Sequence, residues 1–118
     1  KRYLYNFKHH DEIRILGLSD MSKINYWINV VYFEKLRHQD IKKLSIFLKK
    51  KNIETRRVWR PLNLQRHLKK FETFNIKNSK ILYDNSLCLP SNDNLSKKDI
   101  DKVSNYIKSF YENITSHK

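Results

Sequence analysis

One short stretch brings together several kinds of side chain that could bind a charged ligand. Residues 54–65 read ETRRVWRPLNLQ and hold three arginines, a tryptophan, a proline and two side-chain amides. Arginine binds phosphate or carboxylate through paired, charge-assisted hydrogen bonds, and the amides of Asn63 and Gln65 can bond sugar hydroxyl groups. The stretch is therefore a candidate site for an anionic, hydroxylated ligand.

The same residues also have a purely structural interpretation. Trp59 would be a core residue, Arg57 and Arg60 would be solvated, and Pro61 would only turn the chain. Loops at strand ends often have no further role, although binding residues concentrate in loops. Composition alone leaves both interpretations open.

The charge of the chain narrows its partners without naming one. Among 118 residues, 25 Lys and Arg stand against 12 Asp and Glu, which gives a net charge of +13. Such a field attracts phosphates, nucleic acid or anionic surfaces. Much of the excess has a simpler origin, because many lysines fall on helix-like segments, where solvated basic faces are ordinary.

Cysteine and hydropathy indicate the compartment and exclude several kinds of site. Cys88 is the only cysteine, so no internal disulfide can form and a reducing compartment fits best. The sequence shows neither a signal peptide nor an apolar run long enough to span a bilayer. The five histidines have no metal-ligand spacing with Cys or acidic residues. We therefore expect a cytoplasmic protein without a metal site.

Periodicity predicts strand, helix and strand in the first half of the chain. Residues 24–33, INYWINVVYF, are rich in β-branched and aromatic side chains and predict a central strand, with Tyr26 and Trp27 as core aromatics. An amphipathic helix follows over 41–52, with Asp40 as its N-cap and Asn52 as its left-handed C-terminal residue. Residues 53–59 then predict a second strand, which Pro61 ends.

The second half predicts short helices, a strand and a long helix. Residues 64–74 and 80–85 predict short helical segments, and residues 86–90, SLCLP, predict a buried strand ended by proline. Ser96 and Asp99 form a capping box at the start of the final helix. Its apolar stripe recurs at three- and four-residue steps and should lie on the sheet: Ile100, Val103, Ile107, Phe110 and Ile114.

These elements predict an α/β (α+β) fold with about three strands in one sheet and helices packed on it. The length fits a single domain over residues 1–118. Residues 1–10, KRYLYNFKHH, read as the end of a preceding helix because no capping residue precedes them. We therefore expect the chain to be part of a longer protein.

The order of motifs resembles a known enzyme family. The segments that carry the resemblance are, in order, NYW at 25–27, a helix, NIETRRVWRPLNLQ at 52–65, FETF, and NSLCLPSNDNLSKKDIDKVSNYIKSF at 85–110. With these segments the chain is similar to the C-terminal domain of the DegT group of nucleotide-sugar aminotransferases. The resemblance covers almost the whole chain. It implies the small C-terminal domain of an aspartate-aminotransferase-type fold, in enzymes that use pyridoxal 5'-phosphate.

The resemblance also implies a set of substrate-binding residues. Thr55 and Arg56 match the family's "TR", and Asn63 stands where many members have histidine. Arg57 replaces a proline that often follows "TR", and the direction of its charge is not predictable from sequence. We expect five substrate-binding residues: Trp59, Asn63 and Gln65 facing the substrate cleft, with Arg56 or Arg60 near the nucleotide phosphates or the donor carboxylate.

In such enzymes an amino acid, commonly glutamate, gives its amino group to the cofactor, which passes it to a ketone of a nucleotide-linked deoxysugar in surface-polysaccharide or glycan biosynthesis. The lysine that carries the cofactor and the phosphate-binding residues lie in the larger N-terminal domain of the family. The resemblance therefore implies no catalytic residue in these 118 residues, a homodimeric full-length enzyme, and an inactive isolated fragment.

Two other function classes stay open. A small basic nucleic-acid-binding module would explain the charge and aromatics such as Trp59 and Tyr83, although the basic residues are dispersed and no nucleic-acid motif is present. A non-catalytic dimerisation domain could keep the aminotransferase shape.

Overall fold

A computed structural model describes residues 1–17, 25 and 27–116. Its helices are α1 (Arg2–Phe7), α2 (His38–Lys50), α3 (Asn78–Asn85) and α4 (Lys97–Thr115). Its strands are β1 (Ile13–Ile15), β2 (Asn29–Phe33), β3 (Arg56–Arg57) and β4 (Ser86–Leu89). The predicted α/β class is confirmed.

The strands form one antiparallel sheet in the order β1-β2-β4-β3. The sheet has four strands, whereas about three were predicted. The additional strand is the three-residue edge strand β1, which was not predicted. The central position predicted for β2 is confirmed. The strand begins at Asn29 and not at residue 24.

Two details of the predicted aromatics and strands are wrong, and one lies outside the described residues. Trp27 is 71% exposed instead of being a core aromatic, and Tyr26 lies outside the described residues. The strand expected over 53–59 narrows to the two residues of β3. An edge strand pairs on one side only, so few residues of this segment meet a partner.

One face of the sheet carries the core. Val31 and Phe33 of β2 and Leu87 of β4 are completely buried beneath the helices. Leu44 and Leu48 cover them from α2. The neighbouring residues Val30 and Tyr32 alternate to the other face of β2 and are half-buried. Helix α2 therefore packs on this face of the sheet, whereas on the opposite face Ser86 and Cys88 of β4 are buried and the residues of β2 are only half-buried.

The ends of α2 follow local chemistry, with one correction. Asp40 is not the N-cap: Arg37 is, and the Asp40 carboxylate accepts a hydrogen bond of 3.2 Å from the Arg37 backbone N–H. An acid at the third helical position can bond back to the N-cap in this way, so the helix begins earlier than predicted. Asn52 has φ of 58°, which confirms the left-handed residue predicted after the helix.

The capping box of α4 is confirmed. The Ser96 hydroxyl accepts a hydrogen bond of 3.2 Å from the Asp99 backbone N–H, and the Asp99 carboxylate accepts one of 3.0 Å from the Ser96 backbone N–H. Within the predicted stripe, Val103 and Ile107 are buried and the other three residues are half-buried. Tyr111 and Ser104 complete the buried face.

The N-terminal helix α1 packs against α4 and belongs to the same core. Tyr3 and Phe7 are buried. The Arg2 guanidinium donates to the Asp101 carboxylate at 2.7 and 2.6 Å, and the Asn6 amide donates to Asp101 at 2.8 Å. These contacts join residues far apart in sequence and fix α1 on the domain.

Of the remaining predicted elements, two are confirmed and one is wrong. The helical turns predicted at 80–85 lie within α3, and the buried strand predicted at 86–90 is β4. The helix predicted over 64–74 is wrong: two 3₁₀ turns, Leu62–Leu64 and Arg66–Leu68, occupy its start, and Phe71 and Phe74 are exposed. Without a surface to cover, the helical spacing of these residues does not produce a helix.

In the part of the chain that the structure describes, no helix has both the length and the apolar character to cross a membrane.

Candidate functional site

A groove of about 840 Å³ opens at the end of β4, beside the edge strand β3 and the first turns of α4. We call it the edge groove. The loop after α2 forms one wall, and residues 88–92 form its floor. Among the described strands β3 is at one edge of the sheet, so the groove lies at that edge.

Two tryptophans line this groove. Trp59 follows β3 and Trp27 precedes β2, and their ring centroids lie 6.4 Å apart with the planes tilted by 48°. Both are largely exposed, Trp27 by 71% and Trp59 by 67%. We call them the tryptophan pair. The interpretation of Trp59 as a core residue is therefore wrong.

The lining of the edge groove carries more positive than negative charge. Its basic residues are Lys51, Arg56, Arg57 and Lys102, and its acidic residues are Glu54 and Asp99, but the Arg57 guanidinium itself contacts Tyr83 and His38. Arg56 donates to one Glu54 carboxylate oxygen at 3.1 and 3.2 Å. This ion pair is exposed and therefore contributes little to stability, which leaves the Arg56 guanidinium free to change partner.

Arg57 takes the opposite direction to Arg56, as successive residues of a strand do. Its Nη2 donates to the Tyr83 carbonyl at 2.5 Å and lies 3.2 Å from His38 Nδ1, and its guanidinium carbon lies 4.8 Å from the centre of the Tyr83 ring. Its charge is thus turned towards α2 and α3, which answers the question that the sequence left open.

An ion-pair cluster supports this anchoring. Asp84 Oδ1 lies 3.1 Å from His38 Nδ1, and Asp84 Oδ2 accepts from Lys80 Nζ at 2.5 Å. Burial alone would raise the pKa of Asp84, but the hydrogen bonds and charges of Lys80 and His38 outweigh it and lower that pKa. Asp84 therefore stays ionised and holds His38 beside Arg57.

The structure brings together only part of the predicted site. Arg56 and Trp59 line the edge groove, whereas Arg60, Asn63 and Gln65 are not among its lining residues. The Gln65 side chain turns back and donates to the Arg60 carbonyl at 3.1 Å, so it closes the turn after Pro61. Asn63 is half-buried, and its Oδ1 is buried without a hydrogen-bond partner within the described residues.

Trp27 is the groove residue that sequence reasoning misplaced. Its backbone N–H donates to Asn25 Oδ1 at 3.1 Å, and its carbonyl accepts from the Ser91 hydroxyl at 2.7 Å. An Asn two residues earlier offers the backbone a local partner in place of a strand ladder. That Asn was the available signal that the strand begins after Trp27.

Two further groups limit the chemistry of the groove. Cys88 lies at its floor, is buried, and has its thiol pKa raised by that burial, so it is not an activated nucleophile. Across residues 1–17, 25 and 27–116, no cluster of three or more His, Cys, Asp or Glu side chains could hold a metal ion.

Comparison with solved structures shows the fold. Spr1654 of Streptococcus pneumoniae, described as a sugar aminotransferase, matches in a PMP form and a PLP form with TM-scores of 0.86 and 0.85, at 20% identity over 96% of this chain and 29% of that chain. TlmJ, an aminotransferase from Streptoalloteichus hindustanus, matches with a TM-score of 0.80 at 18% identity, covering 97% of this chain and 30% of that one.

PseC of Helicobacter pylori, an aminotransferase involved in the biosynthesis of pseudoaminic acid, matches with a TM-score of 0.82 at 17% identity, over 95% of this chain and 30% of PseC. The chain thus spans less than a third of the length of each of these proteins. Residues 1–108 match the model of the DegT/DnrJ/EryC1/StrS aminotransferase family. With that match over most of its length and the same fold, the chain belongs to the DegT/DnrJ/EryC1/StrS aminotransferase family.

Proposed function

We propose that this chain is the small C-terminal domain of a pyridoxal 5'-phosphate-dependent aminotransferase that acts on a nucleotide-linked keto-deoxysugar. The observation that carries the proposal is the family match over residues 1–108. The Spr1654 structures in PLP and PMP forms support the choice of cofactor. The groove of the small domain supports the choice of an anionic substrate.

The reaction exchanges an amino group for a carbonyl oxygen. The donor amino acid, for which we propose glutamate, becomes a 2-oxo acid, and the keto carbon of the sugar becomes an amine-bearing carbon. The cofactor, when bound, supplies the electron sink for both halves of the exchange, while protein groups supply orientation and electrostatics.

The lysines of this chain do not fit the role of the cofactor-bearing residue. Every lysine in the described part of the chain is exposed except Lys108, which is half-buried. A reactive lysine amine needs a desolvated pocket or an adjacent cation to lower its pKa. We therefore propose that polypeptide beyond these 118 residues supplies that lysine and that the fragment alone is inactive.

The part proposed for this chain is to form a wall of the substrate site. Arg56 and Lys102 give the edge groove positive charge, which suits the phosphates of a nucleotide sugar or the carboxylate of the amino donor. Trp59 adds an exposed aromatic surface on which a flat part of the ligand could pack. Arg60, Asn63 and Gln65 remain proposed contacts, which polypeptide beyond this chain would have to bring to the same ligand.

The wider setting is also a proposal. We propose a homodimer in the cytoplasm that serves surface-polysaccharide or glycan biosynthesis. The descriptions of Spr1654 as a sugar aminotransferase and of PseC as involved in pseudoaminic acid biosynthesis support the sugar-biosynthetic part of this proposal. The positive charge of the chain is then explained by lysines on solvated helix faces together with an anionic substrate.

The experiment uses the longest natural protein that contains these residues. It is incubated with pyridoxal 5'-phosphate, glutamate and a uridine-diphosphate-linked 4-keto-6-deoxysugar, and the products are identified by mass spectrometry. We expect an amino sugar and 2-oxoglutarate in equal amounts over many turnovers; without the nucleotide sugar, no amino sugar should form and 2-oxoglutarate should not exceed one equivalent per bound cofactor. Transamination of free 2-oxo acids with no amination of any nucleotide-linked keto sugar would contradict the proposal.

A further inference from the structure

The tryptophan pair raises a question that the proposed phosphate and sugar contacts do not answer. Trp27 and Trp59 are the only two tryptophans of the chain, both are about two-thirds exposed, and both line the same groove. Single exposed apolar residues are ordinary on protein surfaces. Two adjacent indole rings at the mouth of a charged groove form a larger apolar surface, which is typical of binding sites.

The geometry limits how a ligand can use this surface. With 6.4 Å between the ring centroids and a tilt of 48°, the two rings are in direct aromatic contact. A flat ligand cannot be inserted between them, because that needs about twice the stacking distance of roughly 3.5 Å that separates aromatic atoms in contact. The free ring faces remain, so the pair offers a stacking surface and not a clamp.

Hydrogen bonds and a neighbouring strand position the two tryptophans. The Trp27 backbone N–H donates a hydrogen bond to Asn25 Oδ1, and its carbonyl accepts one from the Ser91 hydroxyl. Trp59 stands between β3, which Arg57 anchors to Tyr83, and Pro61. A surface held in place before the ligand arrives loses little conformational entropy on binding.

The positive charge beside the tryptophan pair favours a flat ligand that is negatively charged. Arg56, Lys51 and Lys102 line the same groove, with only Glu54 and Asp99 as acidic members. A ligand that carries both an aromatic ring and negative charge would satisfy the two features together. Nucleotides have this combination, and nucleobases stack on aromatic side chains through the π-face that every base has.

We propose that the tryptophan pair is the nucleobase-stacking element of the substrate site, with Trp27 as a specificity-determining residue beside Trp59. This inference rests on the proposed function and assigns the base of the nucleotide sugar to a defined surface. Stacking is tolerant of base identity. The pair therefore distinguishes a nucleotide from a bare phosphate compound and discriminates little between one pyrimidine base and another.

The test measures binding of uridine diphosphate to the full natural protein by titration calorimetry, with inorganic pyrophosphate as the second probe. The variants are Trp27→Leu and Trp59→Leu, matched by Trp27→Phe and Trp59→Phe, which keep an aromatic face. Phe74→Leu is the control, because Phe74 is 93% exposed and does not line the groove. We expect each Leu variant to bind uridine diphosphate about ten-fold more weakly, consistent with base stacking on an aromatic side chain. The Phe variants and the Phe74 control should stay within about three-fold of the parent, and pyrophosphate binding should not change.

The outcomes separate this inference from the proposed function. If the parent protein aminates the nucleotide sugar but the Leu variants bind uridine diphosphate as tightly as it does, the stacking assignment is overturned and the function stands. If the parent neither binds uridine diphosphate nor aminates, both are overturned. Should a Leu variant fail to fold, quenching of tryptophan emission by uridine diphosphate decides: the assignment requires part of the quenching to disappear in the folded Phe variants, and unchanged quenching in both overturns it.

Discussion

Arg57 ties the edge strand to α3 through Tyr83, whose carbonyl accepts from its Nη2 at 2.5 Å and whose ring lies 4.8 Å from the guanidinium. Strand β3 pairs with β4 through two residues, so the contact of the Arg57 side chain with Tyr83 contributes much of the stability of β3 at the sheet edge. Since neighbouring strand residues point to opposite faces, anchoring Arg57 on the helix side directs Arg56 into the groove.

Removal of the Arg57 side chain should therefore destabilise the domain. We expect Arg57→Ala to lower the free energy of unfolding by about 1–3 kcal/mol, because the carbonyl of the half-buried Tyr83 loses its charged donor. Arg56→Ala is the matched control and should change stability by no more than about 0.5 kcal/mol, since its ion pair is exposed. Urea denaturation measures both. Equal stability of the two variants would contradict the anchoring role.

Asn52 should show the cost of its left-handed backbone. Its φ of 58° costs most residues with a Cβ about 1–2 kcal/mol, whereas Asn tolerates it because its side chain can form a hydrogen bond with the nearby backbone. We expect Asn52→Ala to lower the melting temperature and Asn52→Gly to leave it unchanged or raise it. Lys51→Ala, one residue earlier and exposed, is the control. A loss with Gly as large as that with Ala would refute this explanation.

Asp101 should make stability depend on pH in the acid range. Hydrogen bonds from Arg2 and then Asn6 lower the pKa of Asp101 from 3.8 to about 2. Because the folded-state pKa is the lower one, the contribution to stability is present above pH 3.8 and is lost as the pH falls through about 2.

The measurement is the melting temperature between pH 5 and pH 2 for the parent and for Asp101→Asn. We expect the parent to lose more stability over this range than the variant, because the variant has no carboxylate at position 101 to protonate. Parallel curves for the two proteins would show that the Arg2 contact does not couple folding to protonation.

Cys88 should react slowly with thiol reagents in the folded protein. Its burial at 8% exposure raises the pKa of the thiol, so little thiolate is present. We expect alkylation by iodoacetamide at pH 7.5 to be at least about ten-fold slower than in urea, where the thiol titrates near 8.5. Equal rates in the two conditions would mean that the floor of the groove is open.

Local chemistry made several parts of this fold predictable. Asn52, Pro90 and the Ser96–Asp99 box act through their own backbone or nearest neighbours, so their roles could be read from a few letters. Apolar spacing similarly predicted the buried faces of α2 and α4. The motif resemblance placed the whole chain in a family that residues 1–108 match.

Other features depend on partners distant in sequence. Strand β1 exists because it pairs with β2, and three residues carry too little pattern to reveal that. The direction of Arg57 depends on Tyr83 in α3. Trp27 resembled a core residue because tryptophan is common in strands, yet the chain there has not reached the sheet. The candidate site could accordingly be predicted at Arg56 and Trp59 and was missed at Trp27.

The central claim is that the edge groove binds the anionic part of a nucleotide sugar, and the most direct measurement is the KM for that substrate in Arg56→Ala. In the full natural protein, loss of one charge-assisted contact worth about 1–2 kcal/mol should raise KM roughly five- to thirty-fold. Lys43→Ala, an exposed change on α2 outside the groove, should leave KM unchanged. If Arg56→Ala and Lys43→Ala both leave KM as in the parent, the edge groove is not where this substrate binds.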